Sequence, residues 1–234
     1  MPSSSAPDAR SWPAGHPPEP WRLLGHLHLG VWLVPRAQLP SVEVPGATPL
    51  VIGRLGVVGT AWVVYEPGGV LSYDELMVTV LVRQGWRPLP CVTSIWVDSP
   101  VSRDGGRALW GIPKELARFE VDSSGDDRGT SFGAEAEDGP LGSVTLHGGA
   151  ALPWRVPFRF SVLQSLAGRA KRSPVSGWTG VSLEGGTWDL PDRGPLAVLR
   201  GRRPLLEIAL TGFVMLFGSP EGFGGPEGAG GTDV

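Results

Sequence analysis

Short apolar runs alternating with polar positions dominate this chain, and no long stretch repeats at helical spacing. Val156, Phe158, Phe160 and Val162 fall on one side of an extended chain, with Pro157, Arg159 and Ser161 on the other. That is the two-residue period of a half-buried strand. Val144 and Leu146 alternate with Ser143, Thr145 and His147 in the same way. Residues 27–34, 60–65, 92–97, 116–121 and 205–217 are also strand-like, rich in Val, Leu and aromatic residues. Turn signals such as Pro67-Gly68-Gly69, Asp104-Gly105-Gly106, Asp138-Gly139-Pro140 and Glu184-Gly185-Gly186 separate the runs. This rhythm predicts a mostly antiparallel sheet, closed or folded into a barrel or sandwich. Only residues 73–82 and 162–170 suit short helices, and the first suits a strand equally well. No internal repeat is visible.

Composition sets the limits. The first twenty residues are rich in Pro, Ser and Ala, without the apolar core of a signal peptide. From Gly218 onward Gly, Pro, Glu and small residues prevail, a composition that buries no core. The expected organisation is a disordered tail over residues 1–20, a folded domain over 21–217 and a second tail over 218–234. A net charge of −3 gives no field favouring nucleic acid or an anionic membrane. The apolar run 205–217 contains Glu207 and is too short to span a bilayer. One cysteine, Cys91, excludes an intrachain disulfide and suits a cytoplasmic protein. It lies in a strand-like run, which points to buried packing.

Candidate chemistry begins with lysine. The chain has two lysines, Lys114 and Lys171, against 18 arginines. Arginine does not deprotonate in proteins, whereas a lysine amine becomes a nucleophile when its surroundings lower its pKa. Lys114 ends an apolar stretch punctuated by Gly and Pro, running from Gly106-Arg107 through Trp110-Gly111-Ile112 to Pro113-Lys114. Pro113 fixes its own φ and pushes Ile112 toward extended geometry, so Lys114 stands on a rigid backbone. Complete burial lowers an amine pKa by roughly 3–5 units. No Cys/His set has metal-ligand spacing; His26 and His28 share one face of a strand without a third ligand. Gly-x-Ser-x-Gly elbows, phosphate loops and dinucleotide fingerprints are missing.

The Gly106-Arg107 to Pro113-Lys114 segment resembles the acetoacetate decarboxylase family, and Tyr73-Asp74-Glu75 is similar to that family's Tyr-x-Glu. The resemblance implies a mainly β (α+β) protein, a closed antiparallel barrel with a few short helices. It also implies a cofactor-free, metal-free homo-oligomer acting on a small keto acid. Lys114 would form the Schiff base, and Glu75 would handle a proton or orient the substrate. Arg107 and Trp110 would be mainly motif scaffolding with possible substrate contact. The expected activity is that of a decarboxylase-like carbon–carbon lyase. An aldolase-dehydratase acting on a keto acid such as pyruvate is the alternative, and a non-catalytic binding protein is a third.

Three positions depart from the family pattern. Glu115 stands where the decarboxylases carry a second lysine. A carboxylate about 4 Å from the amine, at an effective dielectric near 20, favours the ammonium by roughly 4 kcal/mol. If the segment is extended, Glu115 faces away from Lys114 and that penalty largely disappears. Counting along the first strand places His28 where the family has a substrate-binding arginine. A further acidic pocket residue falls at Thr60. Trp62, Trp96 and Trp110 are the tryptophans expected to face a ligand.

Overall fold

The computed structural model describes residues 12–122 and 129–219. Residues 1–11 and 220–234 of the expected tails lie outside these residues, whereas 12–20 lie inside them, with His16 buried and Glu19 bonded to Trp110 and Lys171. Among the described residues, thirteen strands and one α-helix form the architecture. The strands are β1 (Trp21–Pro35), β2 (Thr48–Pro49), β3 (Val51–Ile52), β4 (Leu55–Tyr65), β5 (Tyr73–Gln84), β6 (Arg87–Val97) and β7 (Lys114–Leu116). They continue with β8 (Arg118–Asp122), β9 (Thr130–Ala136), β10 (Gly139–Ala151), β11 (Val156–Leu166), β12 (Arg169–Asp189) and β13 (Leu206–Phe217). Helix α1 (Pro100–Trp110) lies between β6 and β7.

All belong to one sheet, whose main path runs β7-β6-β5-β4-β1-β13-β12-β10-β9-β8. The strands named above pair antiparallel except for β6 with β7, which run parallel. The sheet does not close. β7 and β8 end the path without pairing to each other, so the expected closed barrel becomes an open, folded sheet. β11 pairs with β12 alone and packs against β6 through side chains, leaving a seam where closure would fall.

Neither of the two suggested helices forms. Residues 73–82 lie in β5, whose alternating Val78, Val80 and Val82 are buried on one face. Residues 162–170 instead contain a hairpin: β11 turns into β12 through Ala167 and Gly168, both with positive φ. A two-residue turn of that kind matches the twist of its flanking strands.

α1 was not anticipated, because two glycines and a proline obscured it. Its signals are nevertheless local. Ser99 caps its start, accepting a hydrogen bond from the Ser102 N–H at 3.2 Å, and Pro100 occupies the first turn. Gly111 ends it in the left-handed conformation at φ 67°. A Cβ at Gly111 would stand 2.1 Å from the Ser165 carbonyl oxygen, so only glycine fits.

The folded sheet has two cores. Trp32, Trp62, Leu76, Val78 and Phe132 belong to one. Val63, Tyr65, Tyr73, Ile95, Val97, Trp110 and Ile112 belong to the other. Strand alternation assigns neighbouring residues to opposite cores. The candidate site lies with the second.

Candidate active site

Two rows of cross-strand neighbours define the site. One row is Leu27–Val63–Glu75–Val97–Leu116 across β1, β4, β5, β6 and β7. The next row on the same face is Leu29–Ala61–Met77–Ile95–Lys114. Residues two apart on a strand share a face, so register brings Lys114 and Glu75 together although 39 positions separate them. Tyr73 and Glu75 share that face for the same reason, which gives the Tyr-x-Glu spacing its physical sense.

Lys114 is 3% exposed and Glu75 2%. The Lys114 amine donates to Glu75 Oε2 at 2.7 Å, to Ser102 Oγ at 2.9 Å and to the Tyr73 hydroxyl oxygen at 3.2 Å. An ammonium has three N–H donors, and here all three are used. Its nitrogen also lies 4.9 Å from the centre of the Tyr73 ring. On the other carboxylate oxygen, Glu75 Oε1 accepts from the Tyr65 hydroxyl at 3.2 Å.

The electrostatic balance differs from the expectation that burial alone would free the amine. Burial pulls the Lys114 pKa down, but the adjacent Glu75 and Tyr73 push it up and prevail, so it lies above the ordinary lysine value. The resting site therefore holds a buried ammonium–carboxylate pair. Burial, followed by the Glu75 charge, raises Tyr65 well above an ordinary phenol. Tyr73 is also raised by burial, against the opposing pull of Lys114. Both phenols stay protonated at neutral pH.

The motif's glycine and arginine have separable tasks. A Cβ on Gly106 would stand 2.8 Å from Lys114 Cδ and 2.9 Å from Cε, so glycine clears the path of the lysine stem. Ser102 lies one turn earlier on the same face of α1, where its hydroxyl meets the amine. Arg107 acts outside the pocket: its Nε donates to the Lys114 carbonyl at 2.7 Å and its terminal nitrogen to Glu115 at 2.5 Å. Glu115 is exposed and faces away from the amine, as an extended segment requires.

The remaining candidates do not join this cluster. Trp110 is packed edge-on against Trp21 and Phe217, and its indole N–H donates to Glu19. His28, Trp62, Leu76 and Trp96 form a row on the opposite sheet face. There the His28 ring pairs with Glu184 at 2.8 Å. Thr60 shares that opposite face and accepts from the Trp32 indole N–H. Counting along β1 pointed to His28; the register instead turns Leu27 and Leu29 toward the site. Ser102 and Tyr65 were missed by sequence reading. The start signals of α1 could have indicated Ser102, whereas Tyr65 depended on the β4–β5 register. Among the described residues no group of His, Cys, Asp and Glu side chains could hold a metal. No helix there is long and apolar enough to cross a membrane.

The family model for acetoacetate decarboxylase matches residues 44–153, a span containing both Glu75 and Lys114. Solved structures extend the likeness across most of the chain. An acetoacetate decarboxylase from Legionella pneumophila is 17% identical at a TM-score of 0.63, covering 93% of this chain and 90% of its own. A second acetoacetate decarboxylase structure is 12% identical at a TM-score of 0.61, covering 87% and 88%. The enduracididine biosynthesis enzyme MppR with bound HEPES is 14% identical at a TM-score of 0.58, covering 87% of each chain. No curated protein matches in sequence. At these identities the structural likeness speaks for the fold. The fold is that of acetoacetate decarboxylase-like proteins. Residues 44–153 thus match the acetoacetate decarboxylase family, and the rest of the chain shares that family's fold.

Proposed function

We propose that this protein is a decarboxylase-like carbon–carbon lyase that forms a Schiff base between Lys114 and a small β-keto acid or related keto compound. The carrying observation is the buried 2.7 Å contact between the Lys114 amine and Glu75. It supports this reading because a lysine amine is a nucleophile once deprotonated and a neighbouring carboxylate can take its proton.

As a ketone enters, Glu75 accepts a proton from the ammonium and the freed nitrogen attacks the carbonyl carbon. The carbonyl electron pair moves to oxygen, which is protonated and leaves as water, giving an iminium. The electrons of the bond to the carboxylate then flow toward the iminium nitrogen and CO2 departs. Protonation of the enamine carbon and hydrolysis release the ketone and regenerate the amine. Loss of CO2 turns an iminium and a carboxylate into uncharged enamine and CO2. Apolar walls favour that loss of charge, and Leu27, Leu29, Ala61 and Met77 occupy the rows around the pair. Acetoacetate should therefore yield CO2 with the wild-type chain and none above background with Lys114→Arg; equal release from both would reject the role of Lys114.

A second reading is an aldolase-dehydratase acting on a keto acid such as pyruvate. The hydroxyls of Tyr73 and Ser102 beside the amine favour it, because water loss needs nearby proton donors. It requires imine trapping with pyruvate and no CO2 from acetoacetate. In a non-catalytic binding protein the ion pair would stay closed and no keto acid would be trapped. The family resemblance further suggests a cytoplasmic homo-oligomer working without a cofactor.

A further inference from the structure

The seam of the open sheet contains a groove outside the Lys114 cluster. β7 covers only Ile95–Val97 on the outer edge of β6. Before Lys114 the chain turns aside, with the Lys114 N–H donating to the Ile112 carbonyl at 2.8 Å. The neighbouring stretch of β6 borders a cavity of about 680 Å3, whose wall includes Cys91, Thr93, Ser94, Gln164, Gly111 and Pro113. That volume lies within the range of small-molecule sites.

Gln164 gives this wall its chemistry. Gln164 is 4% exposed, and Nε2 donates to the Val92 carbonyl at 3.0 Å, which fixes which end is which. Among the described residues Oε1 is then met by the Cys91 thiol alone, at 3.9 Å. Buried acceptors ordinarily have a good partner, and a carboxamide oxygen has two lone pairs to satisfy. Glu43 is the one charged side chain in the groove wall. Burial raises the Cys91 thiol to about 11, so it remains neutral.

We propose that this groove is a binding site for a small, uncharged ligand bearing amide N–H groups. A ligand N–H would complete Gln164 Oε1, and Ser94 and Ser165 would supply further hydrogen bonds. The wall offers a carboxylate anion no cation and sets Glu43 against it. The site stands apart from the imine chemistry, although Gly111 and Pro113 place it against the loop that carries Lys114.

The test is titration of the full chain with N-acetylalaninamide, followed by calorimetry and amide hydrogen exchange. Saturable binding is expected, with slowed exchange around Thr93–Ser94 and Gly111–Lys114, and none with propionate. Gln164→Leu should bind about tenfold more weakly. Because Gln164 also ties β11 to β6, Ser94→Leu provides an independent obstruction of the groove and should weaken binding to a similar degree. Lys114→Arg should bind like wild type, so a failed Schiff-base assignment would leave this result intact. Absence of saturation, equal binding of propionate, or undiminished affinity in Ser94→Leu would overturn the proposal.

Discussion

Lys114 on β7 and Glu75 on β5 meet as a buried ion pair with 2.7 Å between nitrogen and oxygen. The pair sits under the first turn of α1, whose Ser102 takes another of the amine's three hydrogen bonds. A buried pair of this kind is costly to break from one side, because the remaining charge loses its partner. Glu75 therefore holds the Lys114 amine in its protonated form.

Replacing Glu75 with Gln removes the main influence that raises the amine and leaves burial unopposed. The Lys114 pKa should fall, and the ascending limb of imine formation, where the amine loses its proton, should move to lower pH. Turnover should drop roughly 10²- to 10⁴-fold through loss of the proton acceptor. In the wild type, the raised amine contributes stability that is complete below the ordinary lysine value, near 10.4, and is lost as pH rises through the folded value. Trapping rates and unfolding midpoints measured against pH check both expectations.

Gly106→Ala separates folding from site geometry. Alanine suits a helix interior better than glycine by about 1 kcal/mol, so the helix itself should tolerate it. The new methyl would nevertheless collide with a lysine stem pinned at its far end. Thermal unfolding should change little while adduct formation falls at least about tenfold, equivalent to roughly 1.4 kcal/mol.

Asp74 points away from the Lys114 face and reads its own environment. Burial and then the neighbouring Asp98 raise it to about 6. A carboxyl raised on folding binds its proton more tightly in the native state, so stability falls as pH rises from about 4 to about 6. Asp74 is half exposed, which reduces the expected effect to the order of 1 kcal/mol. Asp98→Asn should flatten that slope and stabilise the protein above pH 6, as read by denaturant titration at several pH values.

His28 tests the register. Its pairing with Glu184 lies on the face opposite Glu75. His28→Gln should lower stability by about 1–3 kcal/mol and leave the rate of imine formation unchanged. A large loss of trapping with stability intact would show that His28 reaches the substrate.

The sequence revealed what depends on local chemistry. Strand alternation, the isolated lysine and the Tyr-x-Glu spacing all describe single segments, and strands such as β4, β10 and β13 follow from them. Cross-strand register escaped, because a shift of one position turns every side chain to the other face. That is why His28 and Thr60 looked like pocket residues while Leu27, Leu29 and Tyr65 went unnoticed. α1 escaped for another reason: Gly105 and Gly106 lower helix propensity, yet Gly106 is needed where the Lys114 stem passes. Openness of the sheet is a property of its two ends, and no single strand records it.

Borohydride reduction in the presence of acetoacetate, and separately of pyruvate, followed by mass-spectrometric mapping, tests the central role of Lys114 most directly. A reduced adduct with at least one of the two keto acids, confined to the peptide carrying Lys114 and missing from Lys114→Arg, is the expected result. No adduct with either, or one that persists in Lys114→Arg, would contradict it.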